Sequence, residues 1–315
     1  MSLNTGSTDQ CIGLIAGSGR LPILFAQALR GQRVVAVGHR GETDPALAEW
    51  VEELGWVHLG QFQKILDFLL RHRVKWVVMA GGITKSRIWH VRPDFLALKM
   101  VLGLLHRHDD LLLRSAAAIL EEQGFLLKSV TDFVPEFFAP EGVLSRRQPT
   151  PEEWEDIRFG WWAAKELGRL DIGQGVVVRQ KMVAAVEAME GTDAMILRAG
   201  PLIAGRGWGG GASGGVVVKV AKPIQDRRLD LPTIGPDTMR RMEQAGIGVM
   251  AVEAGGAMIL EPEETCALAD RFNLVLVGCR EEEMRPPTVA LGTPGGATAS
   301  RAVAVPDGEG DGCAL

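Results

Sequence analysis

The stretch Cys11-Ile-Gly-Leu-Ile-Ala-Gly17-Ser-Gly19-Arg-Leu-Pro22 determines how the first half of this 315-residue chain is interpreted. The apolar run 11–16 predicts a β-strand. The stretch 21–29 predicts a helix, since Pro22 falls in the first turn, where its missing N–H costs nothing. Outward from there, strands are predicted at 34–37 and 76–80, and helices at 64–72, 94–105 and 110–123. Strands that alternate with helices are typical of a mostly parallel α/β sheet.

The second half has a different pattern, and Pro149-Thr-Pro151 separates the two. Thr150 is suited to cap a helix that begins at Pro151. Residues 175–187 predict a β-hairpin, and Thr192 or Asp193 is expected to cap a short helix. Further strands are predicted at 216–220, 248–253 and 274–278, and further helices at 237–244 and 263–272.

The predicted fold class is therefore α/β for the first half and a distinct α+β domain for the second. Few periodic apolar residues occur near either end of the chain, and the last segment is rich in Pro, Gly, Ala and Ser. The expected divisions are a flexible N-terminus at 1–10, an α/β domain at 11–148, an α+β domain at 149–280 and a disordered tail at 281–315.

Composition excludes several classes of protein. A net charge of −5 offers no electrostatic reason to expect nucleic acid as a partner. The first ten residues lack the basic and apolar regions of a signal peptide, and no uncharged run reaches the ~18–20 residues of a membrane span. The four cysteines show no CxxC spacing and predict reduced thiols of a soluble, cytoplasmic protein.

Gly17-x-Gly19 follows a predicted strand, where glycines let a phosphate approach the start of a helix. A dinucleotide fingerprint requires a third glycine where this chain has Pro22, and an acidic residue where it has His39. An oxidoreductase with a nucleotide cofactor is therefore disfavoured. A plain strand–turn–helix connection and a site for a phosphate-bearing ligand both stay open.

Two further segments carry candidate ligand groups. Gly81-Gly-Ile-Thr-Lys-Ser-Arg87 comes just after a strand, where open α/β sheets bind ligands, and Lys85 and Arg87 could contact phosphate. A solvated loop is the alternative. His106-Arg-His108-Asp109-Asp110 has the composition of a metal site but lacks further ligands at suitable spacing, and Asp110 could simply cap a helix.

The densest cluster of charge lies in the second half. Asp226 and Asp230 fall in a segment that contains two prolines, which predicts a loop able to aim several carboxylates inward at Mg²⁺ or Mn²⁺. Glu187 and Glu253 lie within apolar strands, where a carboxylate needs a cation or a metal. A surface patch of salt bridges is the alternative. The basic residues that could neutralise phosphate oxygens are Lys219, Lys222, Arg227 and Arg228.

Taken together, these stretches resemble the UDP-2,3-diacylglucosamine pyrophosphatase family of the LpxI type, from lipid A biosynthesis. Each motif is weak alone, but their combination and order over about residues 11–279 are specific. The motifs are Ile15-Ala-Gly17-Ser-Gly19-Arg-Leu-Pro22, Gly81-Gly-Ile-Thr-Lys85, Asp109-Asp110-x-Leu-Leu-Arg114, Gly173-Gln-Gly-Val-Val-Val178, Ala185-Val-Glu187-Ala-x-Glu190-Gly-Thr-Asp193, Lys222-Pro-x-Gln225-Asp226-x-Arg228-x-Asp230-Leu-Pro232-x-Ile-Gly235 and Ala251-Val-Glu253-Ala-Gly255.

The resemblance implies a Rossmann-like N-terminal domain and a catalytic C-terminal domain, with the substrate bound between them. It implies hydrolysis of UDP-2,3-diacylglucosamine to UMP and 2,3-diacylglucosamine 1-phosphate (lipid X), with Mg²⁺ as cofactor and water attacking the phosphorus on the sugar side. The catalytic residues implied are Asp226 and Asp230. The sequence alone does not distinguish their roles.

This chemistry assigns expected roles to the remaining candidates. The predicted metal ligands are Asp226, Asp230, Glu187, Asp193 and Glu253. The predicted substrate contacts are Gly17, Ser18, Gly19, Gly82, Ile83, Thr84, Lys85, Lys222, Gln225, Arg228 and Thr192. Candidates for an acyl-chain groove are Trp161, Trp162, Leu202 and Trp208, for most of which core packing is the stronger expectation.

The substrate also sets the expected location and partners. Two acyl chains would anchor it in a bilayer, so we expect the protein to touch the inner face of the cytoplasmic membrane without inserting. A homodimer is compatible with the sequence. A non-catalytic regulatory protein that binds a sugar nucleotide is the main alternative from another class. The carboxylates count against it, because a pure binding site for an anion rarely needs them.

Overall fold

The computed structural model describes residues 10–83, 94, 109–204 and 214–284, without the side chains of 109–112. Several predictions therefore lie outside the described residues. They concern Thr84, Lys85, Arg87, the helix at 94–105, the cluster from His106 to Asp110 as a set of side chains, Trp208, and the segments 1–9 and 285–315.

Within the described residues of the first half, five parallel strands form one sheet in the order β3-β2-β1-β4-β5. This arrangement confirms the predicted Rossmann-like α/β domain. The central strand β1 pairs with β2 on one side and with β4 on the other, and all its residues are buried. The strands are β1 (Ile12–Ala16), β2 (Val34–His39), β3 (Glu53–Val57), β4 (Trp76–Ala80) and β5 (Leu126–Lys128).

Helices cover both faces of this sheet, because alternate residues of each strand point to opposite sides. Leu14 and Phe25 belong to the core on one face, whereas Ile15, Leu69 and Leu120 belong to the core on the other. The helices are α1 (Leu21–Ala28), α2 (Phe62–Arg71), α3 (Asp109–Glu122) and the short α4 (Val130–Phe133).

The second half is built on a separate mixed sheet, which confirms the predicted two-domain architecture. Among its described residues, six strands follow the order β6-β13-β11-β9-β7-β8. The middle strands β9, β11 and β13 are parallel, while the hairpin β7–β8 and the edge strand β6 run antiparallel to their neighbours. The strands are β6 (Gly142–Val143), β7 (Gly175–Arg179), β8 (Met182–Val186), β9 (Val216–Lys219), β11 (Val249–Glu253) and β13 (Val275–Cys279).

In the described part of the second half, four helices pack on this sheet. Ile157 and Trp161 of α5 contact one face, and Met195, Met239 and Ala269 belong to the core on the other. A short parallel pair, β10 and β12, lies outside the main sheet. The elements are α5 (Pro151–Arg169), α6 (Thr192–Ile203), β10 (Thr233–Ile234), α7 (Pro236–Ala245), β12 (Met258–Ile259) and α8 (Pro262–Arg271).

Of the two helix caps predicted in the second half, one is present in the structure and the other is not. The predicted cap of α5 is present: the Glu153 N–H donates to Thr150 Oγ1 over 3.2 Å, and the Thr150 N–H donates to Glu153 Oε2 over 2.9 Å. The cap predicted at Thr192 or Asp193 is wrong. Gly191 occupies the N-cap at a φ of 82°, and the Thr192 hydroxyl is used elsewhere.

The second domain extends beyond the divisions expected from sequence at both ends. Strand β6 pairs with β13, so residues before 148 already belong to the second sheet. At the other end, Glu281–Glu283 forms a 3-10 turn and Met284 is buried in the core. The segment predicted as a disordered tail from 281 is therefore packed as far as 284.

The two sheets meet at a loop that follows β9. Leu229 of this loop belongs to the apolar core under α2 and α3, although it comes from the second half of the chain. Polar contacts join the domains as well: Arg228 donates to Glu121 of α3 over 2.7 Å, and Arg20 donates to Glu261 over 2.8 Å. The Arg114 guanidinium also donates to the carbonyl of Ile224.

Two glycine-rich turns at the carboxyl ends of β1 and β4 are hydrogen-bonded to each other. The Ser18 N–H donates to the Gly82 carbonyl over 2.6 Å, and the Gly82 N–H donates back to the Ser18 carbonyl over 3.2 Å. A Cβ on Gly17 would lie 2.2 Å from the Gly82 oxygen. Gly17 is therefore required so that the two turns can approach each other.

This contact between the two turns predicts different effects on stability for Gly17→Ala and Gly82→Ala. Gly17→Ala should destabilise the protein by about 1–3 kcal/mol, as expected when a close-packed contact is overfilled. Gly82→Ala is the matched control, because its Cβ would find Ser18 Oγ at 3.5 Å, an ordinary contact. Thermal and urea unfolding of both variants measure the difference. Equal unfolding midpoints would contradict this explanation of Gly17.

Candidate active site

A cleft of about 260 Å³ lies between the two domains. Turns from the ends of β1 and β4 form one wall, and β9 with the loop after it forms the other. This is the position at which open parallel sheets bind ligands, outside the carboxyl ends of their strands. The polar and glycine residues that line it include Ser18, Gly19, Gly81, Gly82, Ser129, Gln174, Lys219, Arg227, Arg228 and Asp230.

Asp230 reaches the cleft from the end of the loop 222–231, which is irregular as predicted. Its Oδ2 accepts a hydrogen bond of 2.8 Å from Gln225 Nε2. Although the carboxylate is open to the cleft, protein surrounds it on the other sides. That desolvation raises the pKa of Asp230, against the opposing attraction of Lys219 and Lys222.

Asp226 is held by an arginine from its own loop. The Arg228 guanidinium donates to both carboxylate oxygens, over 3.1 Å to Oδ1 and 2.7 Å to Oδ2. This hydrogen-bonded pairing lowers the pKa of Asp226. Because Arg228 also binds Glu121, Asp226 belongs to a chain of charges that ties the loop to α3.

Lys219, at the end of β9, is a buried cation that lines the cleft. Its Nζ donates to Thr192 Oγ1 over 2.6 Å and to the Thr233 carbonyl over 3.0 Å. The Thr192 hydroxyl in turn donates to Glu187 Oε1 over 2.8 Å. Glu187 is therefore linked to a cation through Thr192, which was predicted as a substrate contact.

Glu253, at the end of β11, accepts hydrogen bonds from two cations and a backbone amide. Oε2 accepts from Lys165 Nζ over 2.8 Å and from the Ala221 N–H over 2.9 Å. Oε1 accepts from Arg227 over 2.9 Å. The cation that a buried carboxylate requires is thus supplied by side chains.

The five carboxylates predicted to bind metal do not converge on one point. In the described part of the chain, no group of three or more His, Cys, Asp or Glu residues is placed to hold a metal ion. Asp193 lies exposed in the first turn of α6. Asp230 and Glu187 are close enough for the charge of Glu187 to raise the pKa of Asp230 slightly.

The predicted substrate contacts are distributed unevenly. Gly19 and Gly82 line the cleft, but the amides of Gly17, Ser18 and Gly82 donate to carbonyls within the turns and not towards the cleft. Lys222 donates to Asp171 over 2.6 Å. Its N–H binds Gln225 Oε1, so Gln225 bridges the start of the loop to Asp230.

The apolar candidates for an acyl-chain groove also separate. Trp161 is buried in the core between α5 and the second sheet. It therefore serves core packing, which was the stronger expectation from sequence. Trp162 and Leu202 are exposed, and so is Ile83 beside the cleft.

Two residues at or near the cleft were missed from sequence. Gln174 lines the cleft, and its Oε1 is buried without a hydrogen-bond partner in the described part of the chain. Lys165 binds Glu253 from the buried face of α5, four residues after Trp161. A lysine at an apolar helical position was the available signal for Lys165. Gln174, inside Gly173-Gln-Gly, had no signal of its own.

Two domains that direct their strand ends, basic side chains and a carboxylate into one cleft define a two-domain protein with a candidate site for an anionic ligand. The family models described as the LpxI N-terminal domain and the LpxI C-terminal domain match residues 11–137 and 140–277. The chain therefore belongs to the LpxI family.

A curated relative agrees with this membership. The UDP-2,3-diacylglucosamine pyrophosphatase LpxI of Caulobacter vibrioides is 36% identical over 280 residues, which cover 86% of this chain and 98% of that relative. The match extends through both domains and the loop between β9 and β10.

Solved structures of lower similarity are also found. The biotin carboxylase domain of a thermophilic 2-oxoglutarate carboxylase bound to ADP is 12% identical, with a TM-score of 0.24, covering 62% of this chain and 33% of its own. The corresponding domain dimer of Hydrogenobacter thermophilus is 13% identical, with a TM-score of 0.24, covering 55% and 35%. Scores this low carry no argument about function.

The link from Lys219 to Glu187 predicts the effect of removing one hydroxyl. Thr192→Val keeps the shape of the side chain but leaves both charged groups without their shared partner. We expect a loss of about 1–3 kcal/mol, the cost of an unmet buried hydrogen bond. Urea unfolding measures it, and Thr192→Ser, which keeps the hydroxyl, should stay near the wild type. A Val variant as stable as wild type would contradict the link.

Proposed function

We propose that this chain hydrolyses the pyrophosphate bond of UDP-2,3-diacylglucosamine, with UMP and 2,3-diacylglucosamine 1-phosphate as products. The observation that carries the proposal is the match of both domains to a curated pyrophosphatase of that specificity, nearly over its full length. The cleft supports it, because cations and a carboxylate meet there beside glycine-rich turns.

Hydrolysis of a diphosphate requires that negative charge on its oxygens be neutralised and that a water molecule be oriented towards phosphorus. Lys219 and Arg227 line the cleft and can offset that charge. Asp230 faces the same space, and its desolvation makes it a stronger proton acceptor towards water. These three side chains are the ones we assign to the reaction, with Asp226 fixing the loop that presents Arg227 and Asp230.

Mg²⁺ is proposed as the cofactor. Protein sites for Mg²⁺ often use one or two carboxylates and complete the shell with substrate phosphates and water. Asp230 fits that requirement, since its carboxylate is open to the cleft, and Asp226 is the second candidate if Arg228 moves aside. When bound, the ion would neutralise charge on the phosphate oxygens. Glu253 fits less well, because its oxygens are already engaged by Lys165, Ala221 and Arg227.

Two aspartate substitutions test the assignment of the loop. Asp230→Asn and Asp226→Asn should each reduce kcat by about 10²-fold or more, Asp230→Asn because it removes a charge needed for the reaction and Asp226→Asn because it loosens the loop that presents Arg227 and Asp230. Asp226→Asn should in addition lower the unfolding midpoint, because it weakens the pairing with Arg228. Release of UMP from detergent-solubilised UDP-2,3-diacylglucosamine, with Mg²⁺ and with chelator, measures kcat.

Asp237→Asn is the matched control for these variants. Asp237 is an exposed aspartate at the start of α7, paired with Arg240 away from the cleft. It should keep wild-type turnover. Wild-type turnover in both Asp230→Asn and Asp226→Asn would contradict the catalytic role assigned to the loop. Absence of UMP release from the wild-type protein would remove the proposed function itself.

Contact with a membrane surface is part of the proposal, because two acyl chains would hold the substrate in a bilayer. None of the described helices combines the length and the apolar character that a membrane crossing requires. We expect association to depend on the lipid substrate, because its acyl chains are the part that enters the bilayer.

Vesicle flotation in chelator tests this dependence. The protein should float with vesicles that contain UDP-2,3-diacylglucosamine and remain at the bottom with otherwise identical vesicles that lack it. Failure to float with either vesicle, from a protein that hydrolyses the detergent-solubilised substrate, would contradict recruitment by the substrate.

A further inference from the structure

Arg227 enters the cleft from the loop after β9, and Glu253 fixes its position. The Arg227 side chain is 59% exposed, whereas that of Glu253 is only 5% exposed. Their contact, from Arg227 Nη2 to Glu253 Oε1, measures 2.9 Å. The carboxylate is therefore a buried anchor for a cation whose other N–H groups extend into the space where a ligand would lie.

The second carboxylate oxygen anchors the start of the same loop. Glu253 Oε2 accepts from the Ala221 N–H, one residue before Lys222, and Lys165 donates both to that oxygen and to the Ala221 carbonyl over 3.2 Å. Glu253 thus holds the loop through its backbone at one end and through Arg227 further along. Such double attachment leaves the arginine little freedom to leave the cleft.

The charges in this cluster favour an anionic ligand. Lys165 neutralises Glu253 from the buried side and lies 5.4 Å from the centre of the Trp161 ring. Glu281 also approaches Lys165, at 3.5 Å, but its side chain is 65% exposed, and such a surface contact is weak. Glu253 is therefore shared by two cations, Lys165 and Arg227, and the three groups together carry a net positive charge.

The backbone after β11 keeps the carboxylate in place. A Cβ on Gly256 would lie 2.5 Å from Glu253 Oε1 and from its carboxyl carbon. The glycine pair that follows Glu253 in sequence is thus explained in part by space for this side chain. A side chain packed this closely has few rotamers available, which suits an anchor.

We propose that Glu253 is a positioning residue that holds the Arg227 guanidinium in the cleft to bind the diphosphate of the substrate. The identity of that substrate rests on the proposed function. Arginine suits this role because its planar fork can donate two parallel hydrogen bonds to a phosphate group. In this role Glu253 acts through Arg227 and does not bind a metal ion.

A double-mutant cycle on the full-length protein tests the proposal. Removing Glu253 alone would leave Lys165 buried without its carboxylate. We therefore replace both residues by neutral ones, Lys165→Met with Glu253→Gln, and call this double variant the anchor pair. Arg227→Met removes the cation, and a third protein combines all three changes. The probe is inorganic pyrophosphate, with its Kd measured by calorimetry in EDTA so that no metal ion contributes.

Arg71→Met is the matched control. Arg71 is an arginine of similar exposure, 62%, that donates to Glu53 over 2.7 Å far from the cleft. It should leave the Kd unchanged. Circular dichroism and the unfolding midpoint of each variant confirm that the measured protein is folded.

The expected result is coupling between the two sites. Arg227→Met should weaken pyrophosphate about 10-fold or more, in keeping with the loss of a charge-assisted hydrogen bond. The neutral anchor pair should weaken it several-fold. The combined protein should bind no more weakly than Arg227→Met alone, because residues that act as a unit are not additive.

Three outcomes would overturn the proposal. They are losses that multiply in the combined protein, an unchanged Kd in the anchor pair, and no binding of pyrophosphate by the wild-type protein. If the anchor pair bound pyrophosphate more weakly than the wild type in Mg²⁺ but equally well in EDTA, Glu253 would instead be assigned to a metal ion. None of these readouts requires turnover, so a failure of the proposed hydrolysis is recognised separately by the absence of UMP release.

Discussion

The arrangement of the cleft depends on the hydrogen bonds and ion pairs that the buried carboxylate of Glu253 makes. This carboxylate accepts hydrogen bonds from Lys165 of α5, from the backbone amide of Ala221 just after β9, and from Arg227 of the loop. A buried carboxylate is costly unless it is fully paired, so the three partners must assemble together. Their assembly brings a helix, two strands and the loop into one arrangement, which leaves one cation facing the interdomain space.

A similar arrangement of an acid and a cation occurs on the opposite side of the loop. Lys219 is held by Thr192 and, through it, by Glu187. In both cases an acid at or just after the end of an apolar strand supports a cation that lines the cleft, directly for Arg227 and through one hydroxyl for Lys219. Both oxygens of Glu253 and one oxygen of Glu187 are thus engaged with N–H or hydroxyl groups, whereas Glu187 Oε2 is buried without a hydrogen-bond partner among the described residues. This arrangement is suited to an anionic ligand such as a diphosphate.

The cleft exists because both sheets direct the carboxyl ends of parallel strands towards it. On one side, Gly17 and Gly81 allow the turns after β1 and β4 to pack together, because a Cβ on either would lie within 2.4 Å of a carbonyl oxygen of the facing turn. On the other, β9 and β11 end in Lys219 and Glu253. Leu229 inserts into the apolar core of the first domain and so fixes the loop between them. Hydrophobic burial therefore sets the position of the loop, and ion pairs set the direction of its side chains.

The sequence by itself determined the order of strands and helices, the irregular loop that carries Asp226 and Asp230, the cap at Thr150 and the family. Apolar periodicity, proline positions and motif order are local properties of the chain, so they can be interpreted without knowing which segments meet. The sequence did not predict five of the described strands, β3, β5, β6, β10 and β12, because each is held by its neighbour more than by its own pattern. Only the tertiary structure decided the partners of Glu253, since Arg227 and Lys165 lie 26 and 88 residues away along the chain. Electrostatic pairing acts across space, and for that reason the roles of the charged residues became visible only once the two domains had folded around them.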